Sequence, residues 1–531
     1  MRSKRFWPSC DRAGARACSR ASRARIQPSS TVTRDGCATV ETSHLVTTTE
    51  DCRMPVLPPA TTLRVDREPI HLRLARSALV RDGAGVADVR GWFDEFARRA
   101  YTDVRRIPLS ALKSWHTDPA TGDIRHDLSK FFVVQGIDVA VPGGPVAHWR
   151  QPIIHQPEIG ILGIIAKEFD GVLHFLMQAK VEPGNGNGLQ LSPTVQATRS
   201  NYTRVHNGRA VPYLDYFRHP GMHRVIGDVR QSEQGSWFYR KRNRNMVVEV
   251  TGDVEVLDGF RWLTLGQIHA LLSADDLVNM DARTVLSCLP FAGAGVHRVL
   301  PGGGAIRESL IRACDETAGS LHTTGEVLSW ITEMRCGLDV ETRRIPLNEV
   351  TGWHRTEDAI VHESGRFFSV IGVGVSAGGR EVAHWTQPMI EPVGTGLIGL
   401  LVQDIGGVLH VLVQARVEPG YLDVVELGPT VQCIPGNHEM LPPGDRPRFL
   451  PDFLNAPADQ IHFDTVLSEE GGRFFHALNR YMIVETSRGA ELEHRAFRWI
   501  AVHQLVALLR HSHYLSVQAR SMLACLHSLI T

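Results

Sequence analysis

The chain repeats itself. GVLHFLMQAKVEPG begins at Gly171 and GVLHVLVQARVEPG at Gly407, an offset of 236 residues. The same offset relates VAHWRQPII (from Val146) to VAHWTQPMI (from Val382) and SPTVQAT (from Ser192) to GPTVQCI (from Gly428). It also relates SEQGSWFYRKRNRNMVVE (from Ser232) to SEEGGRFFHALNRYMIVE (from Ser468). RRIPL at 105 returns at 343, and FRWL at Phe260 returns as FRWI at Phe497, with one or two residues of slippage. A period this long is not that of a solenoid; it predicts two copies of one domain. The expected division is a first repeat over 61–290, a linker over 291–304 that ends in Pro-Gly-Gly-Gly, and a second repeat over 305–531.

Each copy reads as α+β. Val89, Trp92, Phe93, Phe96, Ala97 and Ala100 follow helical spacing, as do Val327, Trp330, Ile331, Met334 and Leu338 in the second copy. FFVVQGIDVAV and GILGIIAKEF, rich in β-branched residues and bounded by Gly and Pro, predict strands. LTLGQIHALL predicts a closing helix.

Composition narrows the function. Lys plus Arg equals Asp plus Glu at 57 each, so no global charge favours nucleic acid or an anionic membrane. No apolar run reaches the roughly 20 residues needed to span a bilayer. The nine cysteines form no CxxC pair, which predicts reduced thiols in a cytoplasmic protein and no zinc site. Residues 1–60 are rich in Arg, Ser and Thr and are expected to be disordered; Met54 is an alternative start.

Polar candidates cluster in the first copy. On a strand from Val172, one face is Leu173, Phe175, Met177, Ala179 and Val181; the other carries His174, Gln178, Lys180 and Glu182, either a solvated surface or a pocket wall. The loop after it offers directional hydrogen bonds from Asn185, Gln190, Thr194, Gln196, Asn201, Tyr202, Arg204 and His206, with glycines that allow close backbone approach. Trp149 and Trp237 are aromatic platforms. The run WFYRKRNRN places Trp237, Tyr239, Lys241, Asn243 and Asn245 on one side of a strand and Arg240, Arg242 and Arg244 on the other, so both faces cannot line one pocket. In the second copy Trp237 becomes Arg473, Tyr239 becomes Phe475, Lys241 becomes Ala477, Arg242 becomes Leu478 and Asn185 becomes Tyr421. The expectation is a working site in the first repeat and a structural or vestigial one in the second.

EPGNGNGLQLSPTVQATRSNYTRVHNG, SEQGSWFYRKRNRNMVVEV, FRWLTLGQIHALL and LVNMDARTVLSCLP together resemble the NDP-hexose 2,3-dehydratases of bacterial deoxysugar pathways, over roughly residue 85 to the end. The resemblance implies a tandem of Nudix-like α+β domains, a homodimer, no metal or redox cofactor, a dTDP-sugar substrate, and a product passed to a 3-ketoreductase in making antibiotic sugars. The implied reaction takes the C3 proton beside a C4 ketone, forming an enolate, and expels hydroxide from C2. It needs a base, an acid and donors for the enolate oxygen. His174 is a candidate acid or base, or equally a histidine bonded within the sheet. Tyr202, Tyr239 and His206 compete for proton transfer, and Lys180 is a candidate for polarising the C4 carbonyl. Arg204, Lys241 and Arg242 are pyrophosphate candidates; Gln178, Gln196 and Asn201 suit the nucleobase or hydroxyls. Two rivals stay open. A Nudix hydrolase requires REUxEExGU (U aliphatic), whose nearest match, Glu469–Glu470, lacks the REU part. The other is a non-catalytic nucleotide-sugar-binding protein.

Overall fold

The computed structural model describes residues 68–531 apart from 83–84, 100–101, 129–130, 145, 203–209, 378–382, 439–441, 443, 445 and 490–493. The expectation for residues 1–60 lies outside the described residues. Two seven-stranded and two five-stranded sheets carry the fold, one of each kind centred on each repeat. The larger sheet of the first repeat runs Arg224–Ser232, Arg242–Glu249, Gly160–Phe169, Val172–Val181, Phe260–Thr264, with Leu189–Ser192 paired to Val172–Val181 and Val195–Ala197 paired to Gly160–Phe169. All its neighbours are antiparallel except Arg242–Glu249 beside Gly160–Phe169. The second repeat builds the same mixed sheet, its parallel pair being Gly396–Ile405 and Leu478–Glu485.

GILGIIAKEF forms its strand over the whole string, Gly160–Phe169. The alternation from Val172 also holds: Leu173, Phe175, Met177 and Ala179 are buried in the main core, and Leu176 points into a separate cluster on the other side. The long polar segment after Glu182 is more ordered than a surface loop. Leu189 and Leu191 alternate with polar residues, and this short run pairs with Gln178–Val181. The helices at Val86–Ala97 and Thr324–Cys336 lie where the spacing places them. The string LTLGQIHALL divides in two, because Thr264 ends a strand and caps the helix Leu265–Leu272 with a reciprocal Gln267 box. The expected linker 291–304 buries Phe291, Val296 and Leu300 in the core. No described helix is long and apolar enough to cross a membrane.

The repeats exchange strands. Thr102–Ile107, from the first repeat, pairs antiparallel with Phe368–Ala377 of the second over six positions. Glu341–Ile345, from the second, pairs with Val133–Ala140 of the first over five. These two visiting strands carry the repeated RRI of RRIPL. The last helices of the two repeats, Met280–Ser287 and Val517–Ser528, pack together and exchange buried arginines. Arg283 donates to the Ser468 carbonyl at 2.6 Å, and Arg520 donates to the Ser232 carbonyl at 2.6 Å. Each arginine thereby braces the loop that follows a strand of the other repeat.

Those loops clasp reciprocally. Gly184, in the first VEPG, donates to Gly471 O at 2.7 Å and accepts from His476 N at 2.8 Å. Gly420, in the second VEPG, donates to Gly235 O at 2.7 Å and accepts from Arg240 N at 2.8 Å. A Cβ on Gly184 would collide with the Phe474 carbonyl, and one on Gly420 with the Phe238 carbonyl. The glycines are required by this backbone-to-backbone approach. Gly184→Ala and Gly420→Ala are each expected to lower stability by about 1–3 kcal/mol, the usual cost of forced backbone shifts in a packed interior. Urea unfolding followed by circular dichroism checks this; a loss below about 0.5 kcal/mol for either would mean the clasp is dispensable.

Candidate active site

The strand Val172–Val181 commits its apolar face to the core, so Lys180 and then Glu182 emerge at its far end toward the clasp. Lys180 Nζ lies 3.8 Å from Glu182 Oε1. On the adjacent short strand, Gln196 donates to the same Glu182 oxygen at 2.6 Å. Gln196 is itself held by Asn279, which caps the helix Met280–Ser287 and places Asp281 in its first turn. Glu233 follows the strand Arg224–Ser232, and Lys241 precedes Arg242–Glu249. The backbone bond from Glu233 N to Lys241 O, at 3.0 Å, closes the turn between them. Asn243 donates to Glu233 Oε1 at 2.7 Å, and the Lys241 ammonium donates to the Glu158 carbonyl. Glu182, Glu233, Lys241 and Asp281 are all buried.

The second repeat completes this cluster. Its loop after Ser468 passes over Glu182, with Gly471 against the Glu182 Cβ, and carries Glu470 and Arg473. Both interact electrostatically with Glu182, and Glu470 also with Glu233. Arg473 lies over the Phe132 ring of the first repeat, 4.6 Å from its centroid.

Burial shifts Asp281, Glu470, Glu233 and Lys241 toward neutrality. Asp281 is pushed well above the carboxylate range, first by burial and then by Glu182, Glu233 and Glu470. Burial raises Glu470 to about 7 against the opposing pull of Arg473, and raises Glu233 against Arg520 and Lys241. Burial lowers Lys241 to about 8, with Glu233 opposing. Like-charged carboxylates in low dielectric cannot all ionise, so the group holds protons near neutral pH and titrates as a unit. Glu233 Oε2, Asp281 Oδ1, Glu470 Oε2 and Arg473 Nε are enclosed without a hydrogen-bond partner. Such a concentration of unsatisfied buried polar atoms is costly unless a ligand meets them.

The second repeat offers a different environment at the matching place. A cavity of about 500 Å³ opens there, lined among others by Trp149, Trp237, Trp353, Arg416, Glu418 and Glu469. Trp237 crosses from the first repeat, as Arg473 crosses from the second, and packs on Phe474 with ring centroids 4.6 Å apart. Where the first repeat has Lys241, Arg242 and Asp281, this cavity has Ala477, Leu478 and Gln518. The second repeat keeps buried Glu418, Glu426 and Glu469, with Glu426 raised by burial to about 7, but lacks the lysine and aspartate of the first repeat.

The sequence candidates therefore separate. Lys180, Gln196 and Lys241 come together in the charged cluster, and Asn185 lies at its edge against Gly471. Trp149 and Trp237 face the second repeat's cavity. Gln190 and Thr194 are structural: Gln190 bonds Asp276 and Ser468, and Thr194 ties Ile165 N to the Leu176 carbonyl. His174 sits at the opposite end of its strand, roughly 20 Å from Lys180 at 3.3 Å per residue. There its Nδ1 meets the Val172 carbonyl at 3.0 Å and its ring meets Phe169. Gln178 is half-buried farther along the same strand. Tyr239 packs beside His155 and against the Ile137 cluster. Arg242 faces Arg230 and Arg240. Lys241, Asn243 and Asn245 share one buried face as expected, but Trp237 and Tyr239 lie in the preceding turn, outside the strand's alternation. Asn201 and Tyr202 fall in the short helix Arg199–Tyr202; Arg204 and His206 lie outside the described residues.

Sequence reasoning missed Glu233, Asp281, Glu470 and Arg473. A usable signal exists for one of them: Glu233 and its twin Glu469 recur within SE(Q/E)G, where a solvated carboxylate has no reason to repeat.

Known proteins are similar to this chain over most of its length. The family model described as NDP-hexose 2,3-dehydratase matches residues 86–289 and again 324–526. A dTDP-4-dehydro-6-deoxy-alpha-D-glucopyranose 2,3-dehydratase of Saccharopolyspora spinosa is 51% identical over 80% of this chain and 88% of its own. Proteins of the same name from Amycolatopsis orientalis and Streptomyces violaceoruber are 46% and 48% identical, over 89% and 83% of this chain and 97% of their own lengths.

Lys241 supplies a stability test of the cluster. Its folded pKa lies below the unfolded value, so between about pH 8 and the ordinary lysine range the unfolded chain holds a proton that the folded chain does not. Stability therefore rises with pH across that window. Relative to Lys241→Met, the unmodified chain is expected to gain about 1–2 kcal/mol between roughly pH 7.5 and 9.5. Urea unfolding of both proteins at each pH measures the difference; a flat difference would place the ammonium in water.

Proposed function

The chain belongs to the NDP-hexose 2,3-dehydratase family, and on that premise we propose that the buried carboxylate cluster of the first repeat is where dTDP-4-dehydro-6-deoxyglucose loses water across C2 and C3. The protein is a hydro-lyase. One observation carries the assignment to this repeat: Lys241 and Asp281, both shifted toward neutrality, converge there with the buried glutamates, and their counterparts in the second repeat are Ala477 and Gln518.

The reaction asks for a base and an acid in one water-poor place. An ionised carboxylate of the cluster removes the C3 proton, which the adjacent ketone acidifies. Asp281, kept neutral by burial and by its carboxylate neighbours, is placed to protonate the departing C2 oxygen. Lys241 and Lys180 limit the accumulated negative charge. The resulting enol becomes a 3,4-diketo-2,6-dideoxy sugar. That reactive diketone suits rapid consumption by a 3-ketoreductase. We read each repeat as Nudix-like, supported by its mixed sheet with one parallel pair and helices packed on it. The resemblance further supports a homodimer in the cytoplasm that serves antibiotic deoxysugar synthesis.

Incubating the protein with dTDP-4-dehydro-6-deoxyglucose in D₂O, with a 3-ketoreductase and NADPH as trap, is expected to yield a 2,6-dideoxy-4-ketosugar deuterated at C2 by mass spectrometry. Released sugar phosphate would instead indicate hydrolysis. Asp281→Asn is expected to lower kcat by about 100-fold or more, within the usual range for loss of a general acid. His174→Gln, remote from the cluster, is expected to stay within about threefold. The reverse pattern would move the chemistry to the other end of the strand.

A further inference from the structure

The loop that follows Ser468 belongs to the second repeat, which lacks counterparts of Lys241 and Asp281, yet it enters the site of the first repeat. Its Arg473 is held there by the clasp: Gly471 O accepts from Gly184 N, and Phe474 N donates to neither the solvent nor the sheet but to Glu470 O at 3.1 Å. Beyond this loop, Phe475 N bonds Ile390 O at 2.7 Å, so the loop is fixed on both sides. The Arg473 guanidinium carbon lies over the ring of Phe132, from the first repeat, 4.6 Å from its centroid, a cation–π contact that helps hold it in place.

Arg520, behind Glu233, has its donors on Thr284, Leu515 and Ser232; the donors of Lys180, Lys241 and Arg473 are differently committed. Lys180 stands beside Glu182, and Lys241 donates to the Glu158 carbonyl. Arg473 uses Nη1 on the carbonyl of its neighbour Gly472 at 2.8 Å, and its Nε is enclosed without an acceptor. A guanidinium carries five N–H donors in a fixed plane, so an oxygen brought into the site finds a cationic donor already oriented. The reaction creates such an oxygen. Removal of the C3 proton sends the C3–H electron pair into a C3=C4 bond and the carbonyl pair onto the C4 oxygen. As the C4=O bond re-forms, a C2=C3 bond forms and the C2–O bond breaks, its oxygen leaving as water with the proton from Asp281. Surrounded by Glu158, Glu182, Glu233 and Glu470, the transient oxyanion requires a cation to offset their field.

We propose that Arg473, carried by the second repeat, hydrogen-bonds the C4 oxygen of sugar bound at the first repeat and is a catalytic residue of that site. The proposal rests on the assignment of the elimination to this cluster. It also gives the second repeat a chemical role: the matching loop of the first repeat sends Trp237 into the opposite cavity, so each repeat furnishes the other's wall. A neutral indole at that position offers a single N–H donor and no charge; the guanidinium offers a positive charge and five donors.

The test compares full-length Arg473→Ala, Arg473→Lys and Asp281→Asn with the unmodified chain, using turnover of dTDP-4-dehydro-6-deoxyglucose and binding of dTDP-glucose, which lacks the ketone. Arg473→Ala is expected to lose about 100-fold or more in kcat, the effect of removing an oxyanion donor, while Kd for dTDP-glucose stays within about threefold. Guanidinium ion added to Arg473→Ala, but not to Asp281→Asn, is expected to restore part of the lost kcat. Arg473→Lys, which keeps charge without the planar fork, is expected to lose about tenfold. An Arg473→Ala kcat within about threefold of the unmodified chain, a loss seen only in KM, or no guanidinium rescue overturns the proposal. Should Arg473→Ala fail to fold, Arg473→Lys decides, and a kcat within about threefold overturns it. If Asp281→Asn is also unimpaired, the cluster is not the site of elimination at all; impaired Asp281→Asn beside unimpaired Arg473→Ala would spare that assignment and remove Arg473 alone.

Discussion

Four backbone hydrogen bonds at two glycines hold this protein's chemistry in place. The VEPG turn of each repeat meets the SE(Q/E)G loop of the other so closely that a Cβ at Gly184 or Gly420 has nowhere to go. Because the contact is main chain to main chain, it fixes the position of everything that follows Ser232 and Ser468, whatever side chains those loops carry. The crossing strands Thr102–Ile107 and Glu341–Ile345 and the arginine pair Arg283 and Arg520 act in the same sense. They couple the two repeats at the sheets, at the helices and at the loops.

That frame allows the repeats to diverge in lining without diverging in shape. Thr194 and Thr430 make the same pair of bonds to the sheet, and His174 and His410 meet equivalent carbonyls. At the ends of the same strands, Lys241 stands opposite Ala477 in sequence and Asp281 opposite Gln518. Burying several carboxylates in one place is electrostatically unfavourable, and the strain appears as raised proton affinity at Asp281, Glu233 and Glu470. A dehydratase uses that same property, since it must accept one proton and donate another at a single sugar. The second repeat buries Glu418, Glu426 and Glu469, with burial raising Glu426 to about 7, but has neither the lysine nor the aspartate, and it presents a tryptophan-lined cavity.

Much of the local structure was legible. The strand Gly160–Phe169, the alternation of Val172–Val181 and the two opening helices follow from side-chain periodicity, which depends only on neighbours along the chain. The site was legible only where polarity and strand position coincided, as at Lys180, Gln196 and Lys241. His174 shared their face and chemistry, but a strand's face says nothing about which end approaches the partner loop. Glu470 and Arg473 were out of reach because they are separated in sequence from Glu182 by the length of a repeat and join it only through the clasp.

From the sequence alone come the duplication, the α+β character of each copy, the family resemblance and the richer polar complement of the first copy. These follow from residue identity and short-range spacing. Tertiary structure decided that RRIPL is a strand lent to the other repeat, that the linker is core, and that two repeats share each site. Such pairings are long-range, and any strand edge or loop of suitable pattern satisfies the local rules equally well. The close approach of Gly184 to Phe474 and of Gly420 to Phe238, with the crossed strands and the arginine pair, selects the partner.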